Sequence, residues 1–291
     1  MYHQINLNGV YVVESKKILN KTVCVVGLGY VGLPLAEDFS SHIRTIGYRR
    51  DQKKVDELNN SPGNRIRVTT DTQRIQEADF VILAVPTPVT RAKDPDREPV
   101  ITASEVVGEH LKKGAIVVLE SAVYPGVTEE IMGPILERES GLHYGKDFTI
   151  GYSPERINSG DEEHILKNIT KIVAGMDKKS TDALCKLYGL ITTVYRAPGI
   201  KTAKAIKGIE TILRDLKIAL TNEISMIFAR LGIDTGEVLN EYDMNVYGYE
   251  PHLPDSMIAH FGTKPLPMLD KKMDAGIIAV AHAQFRNYQR R

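Results

Sequence analysis

TVCVVGLGYVG (Thr22–Gly32), running on as LPLAEDFSSH (Leu33–His42), decides the fold. Thr22–Gly27 is a short apolar run of the kind that forms a strand buried on both faces. Three glycines follow at 27, 29 and 32, in the pattern G-x-G-x-x-G, and the residues after them read as a helix. Strand, glycine turn and helix in that order are the setting the motif requires. The first glycine permits a tight turn, the second admits a pyrophosphate to the backbone, and the third packs helix on strand. The helix start adds N–H donors and a positive dipole end. A tight strand-to-helix turn that holds no ligand is the alternative reading.

Outward from this stretch the same alternation repeats. Arg44–Gly47, Phe80–Pro86, Ala115–Ser121 and Phe148–Pro154 read as strands. Lys53–Leu58, Thr102–Leu111 and Thr128–Ser140 read as helices between them. Apolar runs alternating with helices build βαβ units and a mostly parallel sheet. From Lys201 to Leu231 the pattern changes to apolar residues at three-to-four spacing without proline. That predicts one helix of about 30 residues, roughly 45 Å long. The expected fold class is therefore α/β. It comprises an N-terminal Rossmann-type doubly wound parallel sheet (1–200), a long connecting helix region (201–245) and a truncated C-terminal α/β remnant (246–291). The last 46 residues, with strand-like NVYGYE and DAGIIAVAH, are few for an independent domain. They are expected to be poorly packed or held by another surface.

The glycine pattern calls for an Asp or Glu about 20 residues on, to take the ribose hydroxyls. The sequence there is TIGYRRDQKK (Thr45–Lys54), so the strand end is followed by Arg49, and Asp51 comes two positions later. An Arg cannot accept a hydrogen bond from a 2′-hydroxyl, but it can meet a 2′-phosphate in a charge-assisted contact. NADP is therefore possible because of Arg49. A solvated surface charge is the other reading of that residue.

Composition excludes several classes. Thirty-seven Lys and Arg balance 37 Asp and Glu, which argues against a general nucleic-acid binder. The longest apolar stretches, near Gly114–Leu119 and Ala275–Ala281, fall far short of the ~20 residues of a membrane helix. The start lacks the basic-then-apolar pattern of a signal peptide. Two cysteines, Cys24 and Cys185, make no disulfide framework, and a reducing cytoplasm is the expected compartment. The eight His show no metal-ligand spacing, so no metal is expected. Ser121 has no visible partners of a nucleophile elbow.

Five motifs in order carry a resemblance: VVGLGYVGLPLAEDF (Val25–Phe39), VPTPV (Val85–Val89), ESAVYPGVTEE (Glu120–Glu130), GYSPERINSGD (Gly151–Asp161) and AKAIKGIETILRDLKIALTNE (Ala203–Glu223). The set resembles the UDP-glucose/GDP-mannose dehydrogenase family, and most of all its UDP-N-acetylglucosamine and N-acetylgalactosamine 6-dehydrogenases. The resemblance covers Lys21 to about Tyr242, and a patch from VYGYEPHL to AVAHAQF is similar to part of the family's C-terminal, UDP-sugar-binding domain. It implies oxidation of a sugar C6 alcohol to a carboxylate in two NAD-dependent steps, with a Cys trapping the aldehyde as a thioester precursor. It implies a UDP-sugar as substrate and a homodimer formed through the long helix.

Carried over by position, the resemblance makes Lys207 the catalytic lysine and Glu155 an acid/base group. Arg156, Ile157, Thr211 and Arg214 become substrate contacts. Gly27, Gly29, Tyr30, Val31, Gly32, Arg49, Lys54, Thr87 and Ser121 become cofactor contacts. Lys207, Thr211 and Arg214 stand at i, i+4 and i+7, one face of a helix. A strand-end ion pair for Glu155 and a solvated charge for Lys207 are the plainer readings. The chain departs from the family at several places. The family's nucleophilic Cys motif, G-G-H-C-I-G-V-D-P, is absent, and Cys24 and Cys185 both read as packing. Ala122 and Thr211 stand where the family has Thr and Asn. The resemblance also implies that the chain is shortened between Asn60 and Arg67 and again after Asn245.

Overall fold

A computed structural model describes residues 10–11, 18–61, 63, 65–88, 94–155, 169–241, 247–248 and 264–266. The chain divides into two compact units, Met1–Gly208 and Ile209–Arg291.

The first unit is built on a nine-stranded sheet. Its strands are β1 (Val10–Tyr11), β2 (Thr22–Val26), β3 (Arg44–Tyr48), β4 (Arg67–Thr69), β5 (Phe80–Leu83), β6 (Ile116–Leu119), β7 (Thr149–Tyr152), β8 (Lys171–Gly175) and β9 (Val194–Arg196). The spatial order is β1-β9-β8-β7-β6-β5-β2-β3-β4. From β4 to β7 every pairing is parallel. Numbered from β2, that block reads 3-2-1-4-5-6, the order of a dinucleotide-binding α/β sheet. The chain then reverses: β7 pairs antiparallel with β8, β8 runs parallel to β9, and β1 pairs antiparallel with β9.

Side chains alternate across the strands, so the sheet buries two cores. Val23 and Val25 face one, packed under α1 (Gly32–Ser40) and α5 (Lys178–Tyr188), where Phe39 meets Tyr188 edge-to-face at 5.5 Å. Cys24 and Val26 face the other, packed under α3 (Glu98–Glu109) and α4 (Gly133–Ser140). A helix-covered sheet on both faces is why these strands read as unbroken apolar runs. The short α2 (Gln52–Asn59) buries only Val55.

Beyond shifts of a few residues at element ends, the structure differs from the sequence expectation in these places. Helix α3 starts at Glu98 rather than Thr102, because Pro99 suits a first helical turn, where no N–H is needed. The helix expected over Thr128–Ser140 is two elements: a wide turn, Val127–Met132, precedes α4. Pro134 in the first turn of α4 has no N–H to continue a regular ladder from the preceding turn. No strand was named for Arg67–Thr69 or after Phe148–Pro154, where the sheet contains β4, β8 and β9.

The long helix, α6, runs Ile200–Leu231, so its length matches the expectation at about 48 Å. Its first turns belong to the first unit. There Lys204, with a wholly buried side chain, donates to Glu129 Oε2 at 2.8 Å and lies 5.3 Å from the Tyr152 ring centre. The second unit contains the rest of α6 and α7 (Thr235–Glu241). It also holds a parallel pair, β10 (Tyr247–Gly248) and β11 (Lys264–Pro265). The expectation for DAGIIAVAH falls outside the described residues.

Candidate functional site

The parallel strands end on one edge, and β2 leads there directly into the glycine turn. Gly27 has φ +95°, and a Cβ on it would stand 2.7 Å from the Ala84 carbonyl oxygen. A Cβ on Gly32 would stand 1.9 Å from Gly27 O. Neither position accepts a side chain. Gly29 is different: a Cβ there would meet nothing within 4 Å, and the residue is exposed. The turn therefore closes tightly at both ends and leaves open space over its middle. No side chain caps the start of α1, so its positive dipole end is available to an anion. These features fit a dinucleotide pyrophosphate. Tyr30 is 52% exposed beside the open glycine, and Val31 is the N-cap of α1.

Next to this turn, β3 ends and Arg49 follows. Its backbone N–H donates to Thr69 O at 3.1 Å, and its guanidinium Nη1 donates to Leu28 O at 2.6 Å. Arg49 is half-buried and fastened to the glycine turn, so it is not simply a solvated surface charge. Asp51 does not replace the missing acid, because its Oδ1 accepts the Lys54 N–H at 3.3 Å as the N-cap of α2. Lys54 stands exposed in the first turn of that helix. On the other side of β2, Thr87 is half-buried in the loop after β5. Ser121 Oγ donates to Val85 O at 2.6 Å, tying the loop after β6 to the one that carries Thr87. The glycine turn and the loop after β5 meet at the point where the strand order reverses, which is where open α/β sheets take ligands.

Glu155 follows β7, and its N–H donates to Glu120 O at 3.3 Å. Its side chain is 12% exposed and lies 3.6 Å from Lys171 Nζ. The motif partners Arg156 and Ile157 lie outside the described residues. Lys207, Thr211 and Arg214 all stand on α6, Lys207 in the first unit and the other two in the second. Both cysteines are in the core. Burial pushes the Cys24 thiol up to about 12 and the Cys185 thiol up to about 11, so neither supplies a thiolate near neutral pH. Among the described residues no three His, Cys, Asp or Glu are grouped to hold a metal ion, and no helix is long and apolar enough to cross a membrane.

One cluster escaped the sequence reading. Glu120, Lys171 and Tyr188 are wholly buried, one each from the end of β6, the start of β8 and the end of α5. Lys171 Nζ donates to Glu120 Oε2 at 2.5 Å, and Tyr188 Oη donates to Glu120 Oε1 at 2.5 Å. Burial pushes the Glu120 carboxyl and the Tyr188 hydroxyl up from their ordinary values, and the charge of Glu155 adds to both. The available signal was a charged residue immediately flanking an apolar strand run, in VVLE and KIVAG. Such residues usually mark a strand end at the surface.

The sheet order and the glycine turn define an α/β protein of the dinucleotide-binding dehydrogenase type. Comparison with known sequences makes this specific. Residues 60–192 match the UDP-glucose/GDP-mannose dehydrogenase family's NAD binding domain, and residues 201–258 match its central domain. The chain belongs to this family of NAD-dependent dehydrogenases. It is 43% identical to Protein CapL of Staphylococcus aureus, over 76% of this chain and 55% of that protein. It is 40% identical to the UDP-N-acetyl-D-glucosamine 6-dehydrogenase of Salmonella typhi, over 87% of this chain and 63% of that protein. The chain thus spans less than two thirds of the length of these curated relatives. The crystal structure of an NDP-N-acetyl-D-galactosaminuronic acid dehydrogenase from Methanosarcina mazei Go1 aligns with TM-score 0.65 and 32% identity, over 78% of this chain and 55% of that one.

Proposed function

We propose that this chain binds a nicotinamide dinucleotide and a UDP-N-acetylhexosamine, and that it oxidises the sugar C6 alcohol only as far as the aldehyde. The observation that carries this is the glycine turn, closed at Gly27 and Gly32 and open over Gly29. NAD is the family's cofactor. Arg49, fixed beside the turn where an acid would take the ribose, favours the 2′-phosphorylated form, NADP.

Gly27, Gly29 and Gly32 would hold the dinucleotide, which would supply the hydride acceptor for the alcohol carbon. Lys207 holds the reacting oxygen, and Glu155 takes the hydroxyl proton. Each turnover so converts alcohol and oxidised dinucleotide to aldehyde, reduced dinucleotide and a proton. Arg156, Ile157, Thr211 and Arg214 hold the UDP-sugar. Going on to the acid requires a thiolate to trap the aldehyde. The only two cysteines are buried thiols, which supports a stop at the aldehyde. The chain works in the cytoplasm as a homodimer formed through α6. A binding protein with no turnover is the second reading, favoured by Thr211 and Ala122 standing where the family has Asn and Thr.

Incubation with UDP-N-acetylglucosamine and either dinucleotide, followed by mass spectrometry, tests the proposal. The expected product is the aldehyde or its hydrate. Uronic acid formed with multiple turnovers would contradict it, and no product at all would leave the binding-only reading.

A further inference from the structure

The buried cluster behind Glu155 has a feature that fold stability does not require. Lys171 and Glu120 are both fully buried and neutralise each other, and Tyr188 satisfies the second oxygen of Glu120. A buried ion pair is weak evidence for stability, because apolar residues of similar volume hold a core equally well. What an apolar pair cannot do is present a cation to Glu155. Lys171 Nζ stands between the two carboxylates, 2.5 Å from Glu120 Oε2 and 3.6 Å from Glu155 Oε2. It also lies 3.4 Å from the Pro154 carbonyl oxygen and 5.8 Å from the Tyr188 ring centre. These contacts hold its Nζ beside Glu155. The backbone reinforces this: Ser153 N–H donates to Leu119 O at 3.1 Å and Glu155 N–H to Glu120 O at 3.3 Å. Of the two carboxylates, Glu120 is closed off and only Glu155 reaches the surface.

We propose that Lys171 is a positioning residue: its buried ammonium, anchored by Glu120, aims the Glu155 carboxylate toward the sugar alcohol. Lys171 touches neither substrate nor dinucleotide and acts through Glu155. The proposal rests on the acid/base reading of Glu155 given above. Glu120 is the buried partner of Lys171, because an unpaired charge in the core is very costly.

The test removes both buried charges together, as Lys171→Met with Glu120→Gln, so that neither is left unpaired. Steady-state reduction of the dinucleotide by UDP-N-acetylglucosamine is then followed. The expected result is a kcat lower by about tenfold or more, as for a displaced acid/base group, with the sugar KM changed less than about twofold. In a Glu155→Gln background the same two substitutions lower kcat no further, because a positioning effect vanishes with the group it positions. Asp177→Ala, which weakens α5 at its far end, controls for lost stability and leaves kcat unchanged. If the double variant melts cooperatively and keeps its kcat, or if its loss adds fully to that of Glu155→Gln, the proposal is overturned while the site reading stands. If the unaltered chain reduces no dinucleotide, the site reading fails and the proposal falls with it.

Discussion

At the scale of single residues, the three glycines of one motif do different work, and substitution separates them. In Gly32→Ala the added methyl would lie 1.9 Å from a backbone oxygen, so the turn must open. A melting transition lowered by about 1–3 kcal/mol of stability, or failure to fold, is expected. Gly29→Ala meets no atom of the protein within 4 Å. It should melt within a few degrees of the parent, yet lose about tenfold or more in dinucleotide affinity, because its methyl fills the space a pyrophosphate needs. Calorimetric titration beside thermal melts reads both effects. Arg49 has a prediction of its own. Its guanidinium keeps donors beyond the one spent on Leu28 O. Arg49→Asp should move the ratio of NADPH to NADH affinity toward NADH by about tenfold or more, measured by fluorescence titration of both.

Much of this was legible in the sequence. The motif with its flanking strand and helix patterns located the turn, and Arg49 was visible as a cation in an acid's place. The contact of Arg49 with Leu28 O was not, because a hydrogen bond between residues 21 apart depends on two strands lying side by side. Nor was the role of Asp51, where an acid beyond a strand end reads equally well as a ribose acceptor or a helix cap.

At the scale of elements, α5 shows what local rules supply. Asp177 Oδ1 accepts the Ser180 N–H at 2.6 Å, and Ser180 Oγ accepts the Asp177 N–H at 3.1 Å, a reciprocal capping box. Asp177→Ala should cost about 1 kcal/mol, seen in denaturant or thermal melts. Hydrogen bonds from the Ser180 backbone and then its side chain hold the Asp177 carboxyl below its ordinary value. A carboxyl depressed in the folded state stabilises at pH values above its unfolded pKa, and the gain is lost as pH falls through the folded value. The stability gap between the parent and D177A should stay constant above about pH 5 and narrow below about pH 4. Strands β2, β3, β5, β6 and β7 and the helices among them followed from apolar patterning. The short β4, β8 and β9 did not stand out, since three to five residues carry little periodicity and their pairing is set by neighbours far along the chain. The buried Lys171 at the head of β8 is the same difficulty in one residue: a lysine beside an apolar run reads as a solvated end until the elements around it are placed.

At the scale of the whole molecule, the second unit presents an apolar seam. Ile209, Leu213, Leu216 and Leu220 recur at spacings of four, three and four on α6 and are each more than half exposed, as is Leu231 further along. Spacing near 3.5 residues is what helices use to pack side by side. A seam of this kind supports association of two copies through α6. The parent should run as a dimer by light scattering, and Leu216→Glu with Leu220→Glu should give monomers that keep the melting transition of the first unit. The chain's division at Gly208 places Lys207 in one unit and Thr211 and Arg214 in the other. The sequence showed the helix and its length through periodicity alone. It could not show that the apolar positions of its later turns stay exposed.

Fluorescence titration with NADPH and NADH shows whether the glycine turn of a chain with two buried thiols still takes a dinucleotide. Saturable binding of both is expected, tighter for NADPH, and weakened by about tenfold or more in the Gly29→Ala variant. Absence of saturable binding at millimolar dinucleotide, or binding untouched by Gly29→Ala, would contradict a working dinucleotide site there.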